Sequence, residues 1–465
     1  MNFFRFLQSP SPPKVSNFDA EDHQHWLTHL QAAAHEISLE FTSSTPPHES
    51  YDNLPTPRVP AAGIPIEVVL TIMEAAYFDE SNDPDVDLLR NCALVCRAWA
   101  VHAQKLLFRR VRLCSESAFA SFSEAVDRRS PRGRLLGDTV IQMRAVLDHT
   151  QPGCLTQTSL AMAVSYCPNL YGLDLAQYGC MPPGKDVVAS STQERMPIHA
   201  PSFDEHSLAL LKAGPRITAL HFSSWSDSDQ SVLQLLQVWP SLKSLSITGT
   251  PPVLSPGLTY EPIPCTLQEL RVNCQREPSK EFLSWLLHHS AEEKSLQVID
   301  LERQPTSELL DYLVEKHGEA LRSLAIPSFA MHEHAHAAMR CRSLRELRTE
   351  SSWSSPVVCR QMPESIQHIA FGLDMDTVLT PIINLVNTRD ELQAITANIW
   401  RNGDHHPQLP SLKMACAYRG VDLRLTRDVR QMRMMVRGDP VVPKTYPRVQ
   451  TLDSMQPTIR SAFMA

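Results

Sequence analysis

The side chains best suited to chemistry form a run that starts at His332 and reads H-E-H-A-H. It satisfies H-E-x-x-H, which on a helix places His332 and His336 on one face to hold zinc, with Glu333 as the general base. Met339 and Arg342 stand where the longer form of this motif has Gly and His. The run also falls in a helical stretch between two predicted strands. A zinc hydrolase is therefore kept as a remote alternative, and a solvated helix face is the simpler interpretation.

Two adjacent histidine pairs, His288-His289 and His405-His406, are the other histidine clusters. Neighbouring residues on a helix point about 100° apart, so neither pair is expected to face one way. Both pairs are predicted to lie at the surface.

The composition excludes several function classes. The 465-residue chain carries a formal net charge of −8, which argues against a nucleic acid held mainly through its phosphates. Only 15 glycines are present, and neither phosphate-binding glycine motif nor a G-x-S-x-G nucleophile elbow occurs. The sequence therefore predicts no catalytic residue, no cofactor and no resident metal.

The cysteines and the hydropathy pattern bear on the compartment. The 11 cysteines are scattered, without C-x-x-C pairs or zinc-binding spacing. They are expected to be small buried residues in a reducing environment. No apolar run approaches the 18 residues that a membrane helix needs. The expected location is cytoplasmic, nuclear or both, without membrane contact.

The chain is organised around residues 64–113, which predict two amphipathic helices, a third short helix and an exit strand. An apolar stripe recurs through the first helix at Ile64, Val68 and Ile72, widened by Val69 and Met73. A second helix is predicted from an N-cap at residue 87 and continues at helical spacing through residue 99. A unit of this size buries too little core to fold well alone, so it needs a partner or the rest of its chain.

The segment contains three motifs, Ile64-Pro65-x-Glu67-Val68-Val69-x-x-Ile72, Leu88-Leu89 and Ala93-Leu94-Val95-Cys96-Arg97-x-Trp99. Together these motifs resemble the F-box. The connection at 77–87 is longer and more acidic than the family pattern. The resemblance implies docking onto a Skp-type adaptor, and through it onto a cullin ubiquitin ligase, by burial of apolar anchors in a groove. The residues that it offers as anchors or supporting core are Ile64, Pro65, Val68, Ile72, Leu89, Val95, Cys96 and Trp99.

Beyond residue 113 an apolar-x-x-apolar-x-apolar string recurs. Its copies are Leu170-Leu173-Leu175, Ile217-Leu220-Phe222, Leu242-Leu245-Ile247, Leu267-Leu270-Val272, Leu296-Ile299-Leu301, Leu321-Leu324-Ile326, Leu344-Leu347-Thr349, Ile366-Ile369-Phe371, and the weaker Leu392-Ile395-Ala397 and Leu412-Ala415-Ala417. From residue 217 onward, successive copies stand 20 to 29 residues apart. Such a period is the signature of a solenoid and resembles an irregular leucine-rich repeat.

The predicted fold class is therefore α/β: a three-helix F-box-like unit followed by a leucine-rich-repeat-like solenoid. Parallel strands would line the concave face and helices the convex face. The predicted divisions are residues 1–60 as disordered linker with one helix at 19–42, residues 61–113 as the F-box-like unit, residues 114–437 as the solenoid and residues 438–465 as a tail. Residues 139–143 are a candidate first strand, and residues 421–435 a candidate cap.

The concave face is the predicted binding surface. Residues between the apolar positions of each strand should point there, and their mixed charges suit a protein partner met by charge complementarity. The candidates for this substrate face are His221, Glu269, Arg271, Asp300, Glu302, Glu346 and Arg348.

Three functions follow from these patterns. The leading hypothesis is a non-catalytic substrate-recognition subunit of a Skp/cullin/F-box ubiquitin ligase, with a protein substrate on the solenoid. The alternative is a repeat scaffold whose helical unit only caps the solenoid. The remote alternative is the zinc hydrolase through His332, Glu333 and His336. An exposed apolar patch on the helical unit would favour the first over the second.

Overall fold

A single parallel sheet dominates the computed structural model, which describes residues 66–438 except 78–84, 180–199, 227–229, 255–259, 330–331, 353–358 and 360. Its twelve strands lie side by side in chain order, each paired in parallel with the next. The strands are β1 Arg110–Leu113, β2 Gln142–Asp148, β3 Gly172–Tyr178, β4 Ala219–Trp225, β5 Ser244–Gly249, β6 Glu269–Cys274, β7 Val298–Leu301, β8 Ser323–Ala325, β9 Glu346–Ser352, β10 His368–Leu373, β11 Ala394–Ile399 and β12 Asp422–Thr426. This α/β architecture is consistent with the predicted solenoid.

Helices precede, connect and follow the strands. They are α1 Ile66–Ala75, α2 Val86–Val95, α3 Arg97–Arg109, α4 Glu116–Ala125, α5 Pro131–Thr139, α6 Gln157–Ser165, α7 Glu205–Ala213, α8 Gln230–Val238, α9 Lys280–Leu286, α10 His288–Glu292, α11 Ser307–His317, α12 His332–Met339, α13 Thr380–Thr388, α14 Leu409–Arg419 and α15 Val429–Gly438. Many connecting helices begin at a side chain that accepts a hydrogen bond from a first-turn N–H, as Thr156, Asp204, Ser279 and Thr306 do.

The apolar residues of the repeat string form the side of the sheet that packs against the core. From Leu170 to Leu392, the second residue of every string lies inside a strand. These residues, from Leu173 of β3 to Ile395 of β11, stand in register across the sheet and belong to one continuous core with the connecting helices. Because side chains alternate along a strand, the residues between them project to the opposite side of the sheet. We call that side the open face.

The N-terminal helical unit has a small core of its own. Val69, Met73, Leu89, Ala103 and Leu106 are buried together, from α1, α2 and α3. Helix α3 then leads directly into β1, so the unit is continuous with the first edge of the sheet.

The predicted helix boundaries of this unit need correction. The helix expected to run from residue 88 through Trp99 is broken at Cys96, whose extended backbone (φ −163°, ψ 167°) ends α2 and begins α3. The N-cap of α2 is Asp85, which accepts from Leu88 N at 2.9 Å, and Asp87 lies in the first turn instead. The third helix is not short, since α3 has 13 residues.

Predictions for both ends of the repeat array were also partly wrong. The string Leu412-Ala415-Ala417 lies in helix α14, because a spacing of three residues suits a helix as well as a strand. The last strand, β12, lies in the segment expected to be a cap, and α15 follows it. The first strand is β1, and the candidate at 139–143 straddles the end of α5 and the start of β2.

Several predictions lie outside the described residues. They are the helix at 19–42 and its linker, Ile64, Pro65, most of the acidic connection at 77–87, and residues 439–465 of the tail. Among the helices of the described residues, none combines the length and the apolar character needed to cross a membrane.

Candidate interaction surfaces

Helix α1 carries apolar residues on two sides. Val69 and Met73 are buried in the core of the helical unit, whereas Val68 and Ile72 are 46% and 58% exposed. Each pair is spaced four residues apart, so each forms a stripe along one side of the helix. The packing of the unit therefore uses one stripe and leaves the other to solvent.

A second exposed apolar pair lies where α2 ends. Leu94 and Val95 are 73% and 60% exposed, and Cys96 beside them is also exposed. The extended backbone at Cys96 turns the chain here, so α3 does not continue the face of α2. We call Val68, Ile72, Leu94 and Val95 together the apolar docking residues.

Two other predicted anchors, Leu89 and Trp99, contribute to the core of the unit and not to its exposed apolar surface. Leu89 is fully buried in the unit's core, and Trp99 is half-buried against that core. A partner could not contact Leu89 unless the unit rearranged, so these two residues act in the free chain as supporting core.

Six of the seven predicted substrate-face residues stand in two rows across the sheet, and the seventh, Glu302, directly follows β7. The strand register aligns His221, Arg271, Asp300 and Arg348 in one row, which also contains Arg144, Asp174, Ser246, Ala325, Ala370 and Thr396; we call it the central row. Glu269 and Glu346 stand in a second row, two residues earlier along each strand, which we call the preceding row. Because both rows alternate with the core positions, all these side chains belong to the open face.

Asp300 lies at the centre of a buried cluster of opposite charges. Its carboxylate contacts Arg348 on β9 and lies 3.3 Å from Nε of Arg271 on β6. Ala325 stands between Asp300 and Arg348 in the register, and its small side chain leaves room for the two long ones to meet. Burial alone would raise the pKa of Asp300, but Arg348, Arg437 and Arg271 hold it well below its ordinary value.

The preceding row forms a second hydrogen-bonded set. Ser244 donates to Glu269 at 2.9 Å, and Ser323 donates to Glu346. Nδ1 of His368 lies 3.3 Å from Glu346, and Nε2 of the same ring lies 3.0 Å from the hydroxyl of Thr396. These predicted surface residues are instead buried, and their polar atoms contact one another.

Helix α15 lies on the same face and pairs with three of its acidic residues. Arg433 binds Glu350 through two nitrogens, Nε at 2.5 Å and Nη2 at 2.8 Å, and donates to Glu302 at 2.7 Å. Arg437 donates to Asp300 at 3.0 Å and also to Glu302. Met432 and Val436 pack against Ala370 of β10. We call Asp300, Glu302 and Glu350 the acidic pocket.

Sequence reasoning missed both arginines as residues of this face. They follow the last strand by few residues but contact acids more than 80 positions earlier in the chain. The available signal was their spacing of four residues on a helix, together with the acidic residues between the core positions of β7 and β9.

The half of the open face nearer the N-terminus is more accessible. Arg144 and Asp174 form an ion pair at 3.5 Å, with the arginine side chain 55% exposed. His221 stands 3.5 Å from Asp174 and 3.3 Å from the hydroxyl of Thr248. Burial lowers the pKa of His221, Asp174 opposes that shift, and Arg271, Arg144 and Arg437 add to it.

The histidine run forms helix α12, between β8 and β9, as predicted. Glu333 and His336 are exposed, and the side chain of His332 lies outside the described residues. His334, at a variable position of the motif, is fully buried and lies 2.7 Å from Nε2 of Gln304. The helix therefore points its middle histidine inward, towards the packed side of the repeat.

His288, His289 and His405 are accessible, as predicted, but the two adjacent pairs differ from the prediction in other respects. A break at Leu287 starts α10 at His288, so His288 and His289 both reach Glu292, at 3.5 and 3.0 Å. Among the described residues this is the one group of three side chains whose geometry could hold a metal ion. His406 was expected at the surface but is buried, with Nε2 2.8 Å from the carbonyl oxygen of Thr377.

Comparisons with known proteins add little to this geometry. No family model matches the chain, the F-box included, and no curated protein matches it. A chain in the crystal structure of the TLR13–ssRNA13 complex matches at 11% identity with a TM-score of 0.31, over 63% of this chain and 41% of that chain. The chain thus spans less than half the length of that neighbour, and a likeness this distant carries no functional argument. The repeating fold rests on the strand register described above.

Proposed function

We propose that this chain is a substrate-recognition subunit of a Skp/cullin/F-box-type ubiquitin ligase, built on a leucine-rich-repeat-like scaffold. The helical unit docks a Skp-type adaptor, and the open face of the sheet receives a protein substrate. The chain supplies no catalytic residue. It accelerates ubiquitin transfer by holding a substrate lysine close to the ubiquitin donor, which raises the effective concentration of the two reactants.

The observation that carries this proposal is the exposure of the apolar docking residues. A unit that served only as a cap would bury its apolar side chains against the first repeats. Instead Val68, Ile72, Leu94 and Val95 remain accessible, although α1 has a second stripe for internal packing. Exposed apolar side chains, two on one side of α1 and two at the end of α2, are typical of protein-binding sites. A helix that enters a groove is the matching recognition mode.

The test measures binding of the full chain to a purified Skp-type adaptor by isothermal titration calorimetry. The variant Val68→Asp/Ile72→Asp should bind at least a hundredfold more weakly, because two apolar contacts are replaced by charges that must be desolvated. Both residues are exposed, so the variant should keep the circular dichroism spectrum of the wild type. The matched control is Met414→Asp on α14, a residue 74% exposed in the last repeat, which should bind as the wild type does.

Two results would contradict adaptor docking. One is an absence of binding by the folded wild-type chain at micromolar adaptor concentrations. The other is equal binding by the wild type and the Val68→Asp/Ile72→Asp variant.

A scaffold without a ligase partner is the second candidate, and one packing feature favours it. Phe108 at the end of α3 belongs to the main core, and Leu107 contacts both that core and the core of the helical unit. The unit therefore also covers the first edge of the solenoid, which is what a capping element does. Failure of the adaptor titration would leave this scaffold role in place.

A further inference from the structure

Helix α15 occupies the predicted substrate surface of its own chain. Arg433 and Arg437 lie one helical turn apart and enter the acidic pocket side by side. Glu302 accepts hydrogen bonds from both guanidinium groups, and Glu350 and Asp300 each pair with one of them. The seated helix thus displays what this pocket recognises.

The attachment of α15 combines ion pairs with a small apolar contact. None of its residues belongs to the main core, and its described apolar contact is a separate cluster of Met432, Val436 and Ala370. Asp300 also contacts Arg271 and Arg348 of the strands, whereas the ion pairs of Glu302 and Glu350 run to the arginines of α15. An element held in this way resembles a bound ligand more than a part of the packed repeat.

The geometry also explains why the pocket selects arginine and this spacing. Arg433 meets Glu350 with two nitrogens on two oxygens, an arrangement that the single ammonium of lysine cannot reproduce. Residues four apart lie on one side of a helix, so Met432 and Val436 contact the sheet beside the two arginines. The recognised pattern is therefore apolar-Arg-x-x-apolar-Arg in helical form.

We infer that the acidic pocket is a binding site for a partner protein's helix bearing two arginines one turn apart, and that α15 occupies this site as an internal competitor. The inference names the substrate class of the proposed function and rests on the open face being a binding surface. It does not depend on adaptor docking, so the two can fail separately. A partner helix of this pattern displaces α15 and takes over its ion pairs.

The experiment uses the full chain and a fluorescein-labelled synthetic peptide with the sequence of residues 427–438, with binding followed by fluorescence anisotropy. Wild-type protein should bind the peptide weakly, because α15 competes at high effective concentration. The variant Arg433→Gln/Arg437→Gln frees the pocket and should bind it at least tenfold more tightly. Adding Glu302→Gln/Glu350→Gln to that variant should abolish the gain. The protein control Arg427→Gln/Arg430→Gln keeps the seated arginines and should behave as the wild type.

Matched peptides separate recognition from net charge. The peptide with Arg433→Gln and Arg437→Gln should not bind the freed pocket, whereas the peptide with Arg427→Gln and Arg430→Gln has the same charge and should bind it. Equal binding of the two peptides would overturn the inference, as would equal affinities of wild-type and freed protein.

A measurement on unaltered protein covers the case in which the freed variant does not fold. Amide hydrogen exchange in α15 of the wild type should become at least severalfold faster when the peptide is added at millimolar concentration, because the peptide displaces the helix. Exchange that is unchanged by the peptide would show that α15 is a fixed part of the fold, and the inference would be wrong.

Discussion

Two stretches of the central row carry similar residues in different surroundings. On β2 and β3, Arg144 and Asp174 pair at 3.5 Å with side chains 55% and 28% exposed. On β6 and β7, Arg271 and Asp300 pair at 3.3 Å with side chains 6% and 4% exposed. The strand position and the charges are the same, and the second stretch alone contacts α15. The difference coincides with α15, whose Arg437 pairs with Asp300. We therefore expect that a covering helix, more than the strand sequence, decides whether a charge on this face is solvated or buried.

The largest effect should come from removing the carboxylate at the centre of the buried stretch. Asp300→Ala leaves Arg348 and Arg271 without their shared partner and removes one acidic partner of Arg437. Breaking a buried pair in this way costs roughly 3–5 kcal/mol of the free energy of unfolding. Urea denaturation followed by circular dichroism measures it.

The matched control is Asp174→Ala in the same row. Its pair with Arg144 is partly exposed, so the change should cost less than about 1 kcal/mol. Equal losses for the two variants would mean that α15 does not create the difference between the two stretches.

The second-largest difference between the two stretches should be in how much stability each loses at low pH. Arg348, Arg437 and Arg271 hold the pKa of Asp300 well below its ordinary value, against the effect of burial, which would raise it. A carboxylate with a depressed folded-state pKa stabilises the fold above its unfolded-state pKa of about 4, and that contribution is lost as the pH falls below it. Between pH 5 and pH 2, wild-type protein should therefore lose more stability than Asp300→Asn, as urea titrations at each pH would show. Parallel losses would contradict the role of Asp300.

A smaller, separate pH effect should come from the helix side of the sheet. Burial lowers the pKa of His317 on α11 to about 4, and Lys316 adds to the shift. The folded state thus favours the neutral ring, so this contribution is complete above about pH 6.5 and is lost as the pH falls towards 4. Going from pH 7 to pH 5 should cost about 2 kcal/mol through this residue.

His317→Gln is the variant that tests this effect, with unfolding measured at pH 7 and pH 5. It should be less stable than the wild type at pH 7 but should lose less stability on acidification. If the wild type and the variant showed the same pH dependence of unfolding, His317 would not be the cause of the stability loss.

The sequence predicted the repeat well because burial imposes a pattern that can be read locally. Leu220 and Phe222, like Leu245 and Ile247, alternate along a strand and recur at a steady period. The pattern failed at the last repeat, where Leu423 and Leu425 of β12 are only partly buried and the strand signal is weak. It also misled at Leu412, since apolar residues three apart occur on helices too.

The candidate site was predictable only in part, for a different reason. Alternation identified Arg271, Asp300 and Arg348 as residues of one face, and the register places them there. The surroundings of this face could not be foreseen, because Asp300 also pairs with Arg437, 137 positions further along the chain. Local periodicity carries no information about which distant segment covers a face.

The smallest effect should come from the accessible stretch. Arg144→Ala removes a partly solvated partner of Asp174, so the loss of unfolding free energy should be below about 1 kcal/mol and should shrink further in 1 M salt. Urea denaturation of wild type and variant at 0.05 M and 1 M NaCl measures the loss of unfolding free energy at each salt concentration. A loss above about 2 kcal/mol that salt does not reduce would show that this stretch is also covered in solution. In that case the accessible half of the open face would be as closed as the half beneath α15, and a partner would have to displace more than that helix.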